Sequence, residues 1–171
     1  MAPGFPLASG AVIRRDAMSF LPDWAPTAHP FLVHFPITLL TMAAVVDVAT
    51  VILKRSGSGG VFVTCAYLGG VVTLLATYLT GRSAAMTVLI PGMAHSVVED
   101  HWTWALWCLW YFVVLTGSRL LWRVHNRQPT VRLSFAVAGL VGIVLLVGTA
   151  DRGGQLVYKY GVGFSPPVTQ E

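Results

Sequence analysis

The chain has 171 residues, 55% of them apolar and only 11% charged, whereas a soluble domain of ordinary composition carries about 25% charged residues to face water. That composition excludes a soluble enzyme domain, a disordered chain and a nucleic-acid-binding protein. The formal charge of +4 then reads as membrane topology, not as a basic binding surface, and the length fits one domain.

Residues 1–30 form an extramembrane N-terminal segment. Its arginines, Arg14 and Arg15, follow the short apolar stretch, unlike a signal peptide, and Phe20, Leu21 and Trp24 suit it to an interface. Four apolar runs follow, at Phe31–Leu53, Val61–Thr80, Trp102–Trp122 and Leu133–Ala150. Each has about the 20 residues a helix needs to cross the hydrocarbon core. None shows strand alternation, and lipid admits only helices or closed barrels. The expected fold is therefore an all-α membrane protein, four transmembrane helices in an up-down bundle over residues 31–150. A tail over 151–171 follows, in which Gly153 and Gly154 predict a helix stop. The stretch Gly81–His101 reads as the longest loop. No internal repeat or low-complexity segment stands out. Cys65 and Cys108 sit in apolar runs and read as packing residues.

Charge orients the bundle. Lys54, Arg55, Arg119, Arg123, Arg127 and Arg132 cluster around the two short connections without an acid. The opposite side mixes Arg14, Arg15, Arg82, Arg152 and Lys159 with Asp16, Asp23, Glu99, Asp100, Asp151 and Glu171. The positive-inside rule puts the short loops in the cytoplasm and both termini on the periplasmic side, with Arg119 snorkelling to the inner interface. Small residues at four-residue spacing, Gly69, Thr73, Thr77 and Gly81 in the second run and Ser134, Ala138 and Gly142 in the fourth, predict helix-helix contact.

Four of the five histidines fall on the external side: His29 and His34 at the mouth of the first helix, His95 and His101 before the third. His125 is in the basic loop. His29 and His34 are about 140° apart around a helix, and His95 and His101 about 240°, so neither pair is a local chelate. Each helix can turn one histidine inward, and the first and third helices are diagonal in an up-down bundle. His34 and His101 are accordingly the expected axial ligands of a b-type haem, with His29 and His95 in support and Thr38, Thr41, Trp104 and Cys108 on the flanking faces. Two other readings stand beside it: interfacial histidines that only bond at helix starts, and a metal site from His95, Glu99, Asp100 and His101.

Asp47 lies about six residues from the cytoplasmic end of the first helix, where a carboxylate must be paired or protonated. The favoured reading is an ion pair with Lys54, Arg55 or Arg119, the last across the bundle. Trp107 and Trp110 point away from His101, toward lipid or another subunit. The functional expectation is a small redox subunit near the periplasmic face, partnered by quinones or cytochromes. The alternative is a non-catalytic accessory subunit docked on a respiratory or photosynthetic complex. No nucleophile–base pair, phosphate loop or redox cysteine motif is present.

The segment HPFLVHFPITLL (His29–Leu40), Asp47, His101 and GGQLVYKYGVGF (Gly153–Phe164) resemble a family of small four-helix bacterial inner-membrane proteins of unknown function. That family bears an H-P-x-x-V-H-F-P motif and a C-terminal G-G-x-L-V-Y-x-x-G-V motif. The resemblance covers about residues 29–164 and maps onto His29, Pro30, His34, Pro36, His101, Gly153, Gly154 and Gly161. It implies the fold and a bacterial inner-membrane location. It implies no settled activity.

Overall fold

The computed structural model describes residues 27–54, 59–88, 90–125 and 131–163. The described residues are almost wholly helical: α1 (His29–Leu32), α2 (His34–Ile52), α3 (Gly59–Thr87), a 3-10 turn at Gly92–Ala94, α4 (His95–His125) and α5 (Val131–Tyr158). Four spans are long and apolar enough to cross a membrane: His29–Ile52, Gly60–Thr87, Gly92–Val124 and Val131–Tyr158. The first is α1 and α2 joined through Val33. Pro36 has no N–H to give the Leu32 carbonyl, so the helix loosens at that turn. Arg55, Arg127 and most of the two terminal segments lie outside the described residues.

The helices exceed the apolar runs. Residues 81–87 and 95–101, expected as loop, are helical, because hydropathy marks only the part in hydrocarbon and neither stretch contains a proline. The 29 residues of α3 rise about 44 Å, enough to reach the headgroups. Likewise α5 runs straight through Gly153 and Gly154. It closes only where Gly161 takes φ 65° and the Gly161 and Val162 N–H groups reach back to the Val157 and Leu156 carbonyls, at 3.1 and 2.9 Å. The helix stop expected at Gly153 is therefore eight residues too early.

Each helix packs on two neighbours: α2 on α3 and α5, and α4 on the same two. The pairs α2/α4 and α3/α5 are the diagonals of the bundle. Its core is Leu40, Ala43, Val63, Tyr67, Cys108, Phe112, Phe135 and Leu146. Outward lie Val45, Val72, Val144 and other large apolar side chains at half exposure or more, as lipid requires.

The two halves of the chain are copies of one hairpin. Residue i matches residue i + 72 without a gap, the separation at which Asp47 meets Arg119. Helices α3 and α5 begin at equivalent positions, Gly59 and Val131. The buried residues of α2, Pro36, Leu40, Ala43, Ala44 and Asp47, correspond to Cys108, Phe112, Leu115, Thr116 and Arg119, all buried on α4. On α3, Val63, Thr64, Tyr67, Gly70 and Leu74 correspond to Phe135, Ala136, Gly139, Gly142 and Leu146, again all buried. Packing repeats with them. Leu40 closes on Gly70 and Phe112 on Gly142, so tightly that an added Cβ would stand 2.3 and 2.5 Å from the facing side chains. The hairpins are thus related by a pseudo-two-fold axis along the bundle, which corrects the expectation of no internal repeat. Apart from Gly70/Gly142 and Leu74/Leu146, most core pairs swap one apolar residue for another, and such swaps hide a repeat from inspection.

Of the small-residue stripes, Thr77 and Gly142 are buried and Gly69 meets Leu39 at contact distance, whereas Ser134 is exposed. The closest approaches belong to Gly142 of these stripes and to Gly70, Gly139 and Gly148 outside them.

Candidate functional site

Two polar pairs lie on the diagonal between the first span and α4, one near each end of the bundle. At one end Arg119 forms a two-pronged ion pair with Asp47, at 2.5 and 2.9 Å. Asp47 is 5% exposed and Arg119 4%. The guanidinium also reaches the Thr64 hydroxyl at 3.3 Å and lies over the rings of Tyr67 and Phe135. Arg123 joins it from the next turn, donating to Thr64 Oγ1 and the Gly60 carbonyl. Of the partners expected for Asp47, the one across the bundle is realised, and Arg119 turns inward instead of snorkelling.

At the other end stand His29 and His101, about 27 Å along the helix rise from the ion pair. The Nδ1 of His29 lies 3.0 Å from the Thr77 carbonyl oxygen, and that of His101 lies 3.0 Å from the Thr149 carbonyl oxygen, each 48 residues further along the chain. A carbonyl only accepts, so Nδ1 carries a proton in both rings, and in the neutral imidazole Nε2 then bears the lone pair. Each ring also rests on a glycine of the next helix. An added Cβ at Gly81 would stand 2.7 Å from His29 Cε1, and one at Gly153 3.1 Å from His101 Cε1. The triplets His29, Thr77, Gly81 and His101, Thr149, Gly153 are equivalent under the repeat.

Of the expected pair His34 and His101, only His101 faces inward. His34 sits on the exposed face of α2 together with Thr38, and Thr38 and Thr41 line an open apolar groove with Ile37, Met42, Val45 and Val46. The 140° between His29 and His34 means that only one can face the axis, and the buried stripe through Pro36, Leu40 and Asp47 selects His29. His95 is exposed, as are Glu99 and Asp100, while His101 turns inward. Among the described residues no three His, Cys, Asp or Glu side chains converge as a metal site. Trp107 and Trp110 point out of the bundle, 68% and 59% exposed, as their helical angle from His101 requires. Cys108 is buried in the core.

Sequence reading missed Thr77 and Thr149 as partners, and took Gly153 for a terminator. The signal was present. Sliding the sequence on itself by 72 residues superposes His29 on His101, Thr77 on Thr149 and Gly81 on Gly153.

The molecule is thus a four-span helical membrane protein made of two tandem hairpins, with duplicated, oriented histidines at one end and a buried ion pair at the other. Residues 25–166 match the family model described as "Predicted membrane protein (DUF2231)", and the chain belongs to that family. Neither the curated proteins nor the solved structures contain a match.

Proposed function

We propose that this protein is a membrane-embedded redox carrier that holds a b-type haem between His29 and His101. The observation carrying the reading is the pair of imidazoles on diagonal helices, each with Nδ1–H tied to a backbone carbonyl. Such a bond is what orients and strengthens an imidazole ligand, leaving Nε2 for a metal. His29 and His101, equivalent about the two-fold axis, would be the residues that hold the group. The haem supplies one-electron chemistry. The chain's own part is to fix both rings, exclude water through the Leu40, Cys108 and Phe112 core, and hold the centre near one membrane face. Lys54, Arg123 and Arg132 belong to the opposite end, for which the positive-inside rule favours the cytoplasm. The histidines and both termini then face the periplasm of a bacterial inner membrane, where quinones or cytochromes can exchange electrons with the haem.

Purified protein should show a reduced-minus-oxidised Soret difference, lost in His29→Ala and in His101→Ala but kept in His34→Ala. An intact, cofactor-free wild type that takes up no added haem would sink the proposal.

A second reading, an accessory subunit docked on a larger membrane complex, draws on Trp107 and Trp110, two large rigid side chains on one exposed face of α4. Co-purification under mild detergent, lost in the double alanine variant, is its test. A protein that runs alone counts against it.

A further inference from the structure

The histidine end carries two arginines that the ion pair does not use. Arg82 follows Gly81, the glycine under His29, and its guanidinium lies 5.1 Å over the Trp102 ring. Arg152 precedes Gly153, the glycine under His101, and stacks 4.0 Å from the Trp104 ring centre. Both tryptophans flank His101 on α4. Trp102 is itself held by its indole N–H, which donates to Tyr78 at 2.7 Å. Arg152 donates once, to the Gly148 carbonyl at 2.8 Å.

Acids are close at hand, yet among the described residues neither arginine pairs with one. Asp151, next in sequence to Arg152, accepts from Gln155 instead. Glu99 and Asp100 are exposed. A guanidinium stacked on an aromatic face keeps its in-plane N–H groups free and directed, which is the geometry for gripping a carboxylate. An unpaired cation serving only to anchor a helix needs no such platform, whereas here each arginine has its own tryptophan within three residues of the ligand histidine.

We infer that Arg82 and Arg152 bind the two carboxylate groups of the ligand held between His29 and His101. The inference rests on the haem reading and sharpens it: the ligand is an amphiphilic macrocycle with two acid groups at one edge.

The test compares haemin with its dimethyl ester, which has the same iron and ring but no charged carboxylate. Both are titrated into the intact protein in detergent. A hydrogen-bonded pair with a charged group is worth at least about a factor of ten in affinity. Wild type should therefore take haemin at least about tenfold more tightly than the ester. Arg82→Gln with Arg152→Gln should reduce that preference to less than about twofold while leaving the bis-imidazole spectrum unchanged. Arg82 is exposed, so its replacement does not threaten the fold, and the wild-type comparison needs no variant at all. Equal affinity for the two compounds in wild type, with a bis-imidazole spectrum, overturns the arginine assignment and leaves the histidine site standing. A preference that survives in the double variant does the same. Binding of neither compound removes the histidine reading, and this one with it.

Discussion

Replacing Asp47 by alanine tests whether the ion pair holds the two hairpins together. The change leaves Arg119, 4% exposed, facing a methyl group, and removes bonds of 2.5 and 2.9 Å. Breaking a buried pair from one side costs about 3–5 kcal/mol, since the surviving charge stays desolvated. Arg119 keeps Thr64 at 3.3 Å and the faces of Tyr67 and Phe135, which places the loss near the lower end, about 3 kcal/mol. At about 2–4 °C per kcal/mol for a chain of this size, the midpoint should fall by about 6–12 °C. Thermal unfolding in mild detergent, followed by circular dichroism, measures it. Asp47→Leu with Arg119→Leu removes both charges and should recover to within about 1.5 kcal/mol of wild type, because two leucines need no desolvation. The two single leucine variants complete the cycle and should show a strong coupling. A fall below about 2 °C in Asp47→Ala, or a double variant as damaged as the sum of its singles, would refute the reasoning.

Other substitutions test the packing separately. Gly142→Ala puts a methyl 2.5 Å from Phe112 Cζ and should cost about 1–3 kcal/mol, whereas Gly117→Ala meets nothing within 4 Å and should gain up to about 1 kcal/mol from helix propensity. Equal midpoints for the two would show that the helices do not approach as described. Gly81→Ala should displace the His29 ring and weaken haem retention; Gly154→Ala, with open space around it, should leave haem in place. Among the described residues the buried Tyr67 hydroxyl has no hydrogen-bond partner, so Tyr67→Phe should be neutral or stabilising by up to about 1 kcal/mol, and a clear loss in the melting curve would mean that the hydroxyl is bonded. For topology, cysteine at Lys54 should react with an impermeant maleimide only from the cytoplasmic side, and cysteine at Tyr158 only from the periplasmic side. The reverse pattern would invert the assigned orientation.

Composition and hydropathy sufficed for four spans, because a lipid-crossing segment is recognised by length and apolarity alone. Asp47 as a buried, paired carboxylate was likewise legible, since an isolated charge at that depth is too costly to leave alone. Helix ends were not, because the helices continue beyond hydrocarbon with no change in backbone chemistry.

Which histidine faces inward was beyond the sequence as well. His29 and His34 are equally polar, and only the packing of Pro36, Leu40 and Asp47 against the other helices sets the rotation of α2. The two-fold relation is written in the sequence as a shift of 72, yet its meaning is tertiary. Positions that meet a different residue of the other hairpin, or of their own, could stay alike, as His29 and His101, Thr77 and Thr149, and Gly81 and Gly153 have. Positions that meet their own equivalent across the axis could not. Two aspartates or two arginines would repel, and two tyrosines would overlap. There the structure sets Asp47 against Arg119 and Tyr67 against Gly139, opposite in charge in one case and in size in the other. The sequence alone determined a membrane bundle with histidines near one face. The close approach of the hairpins decided which residues became partners.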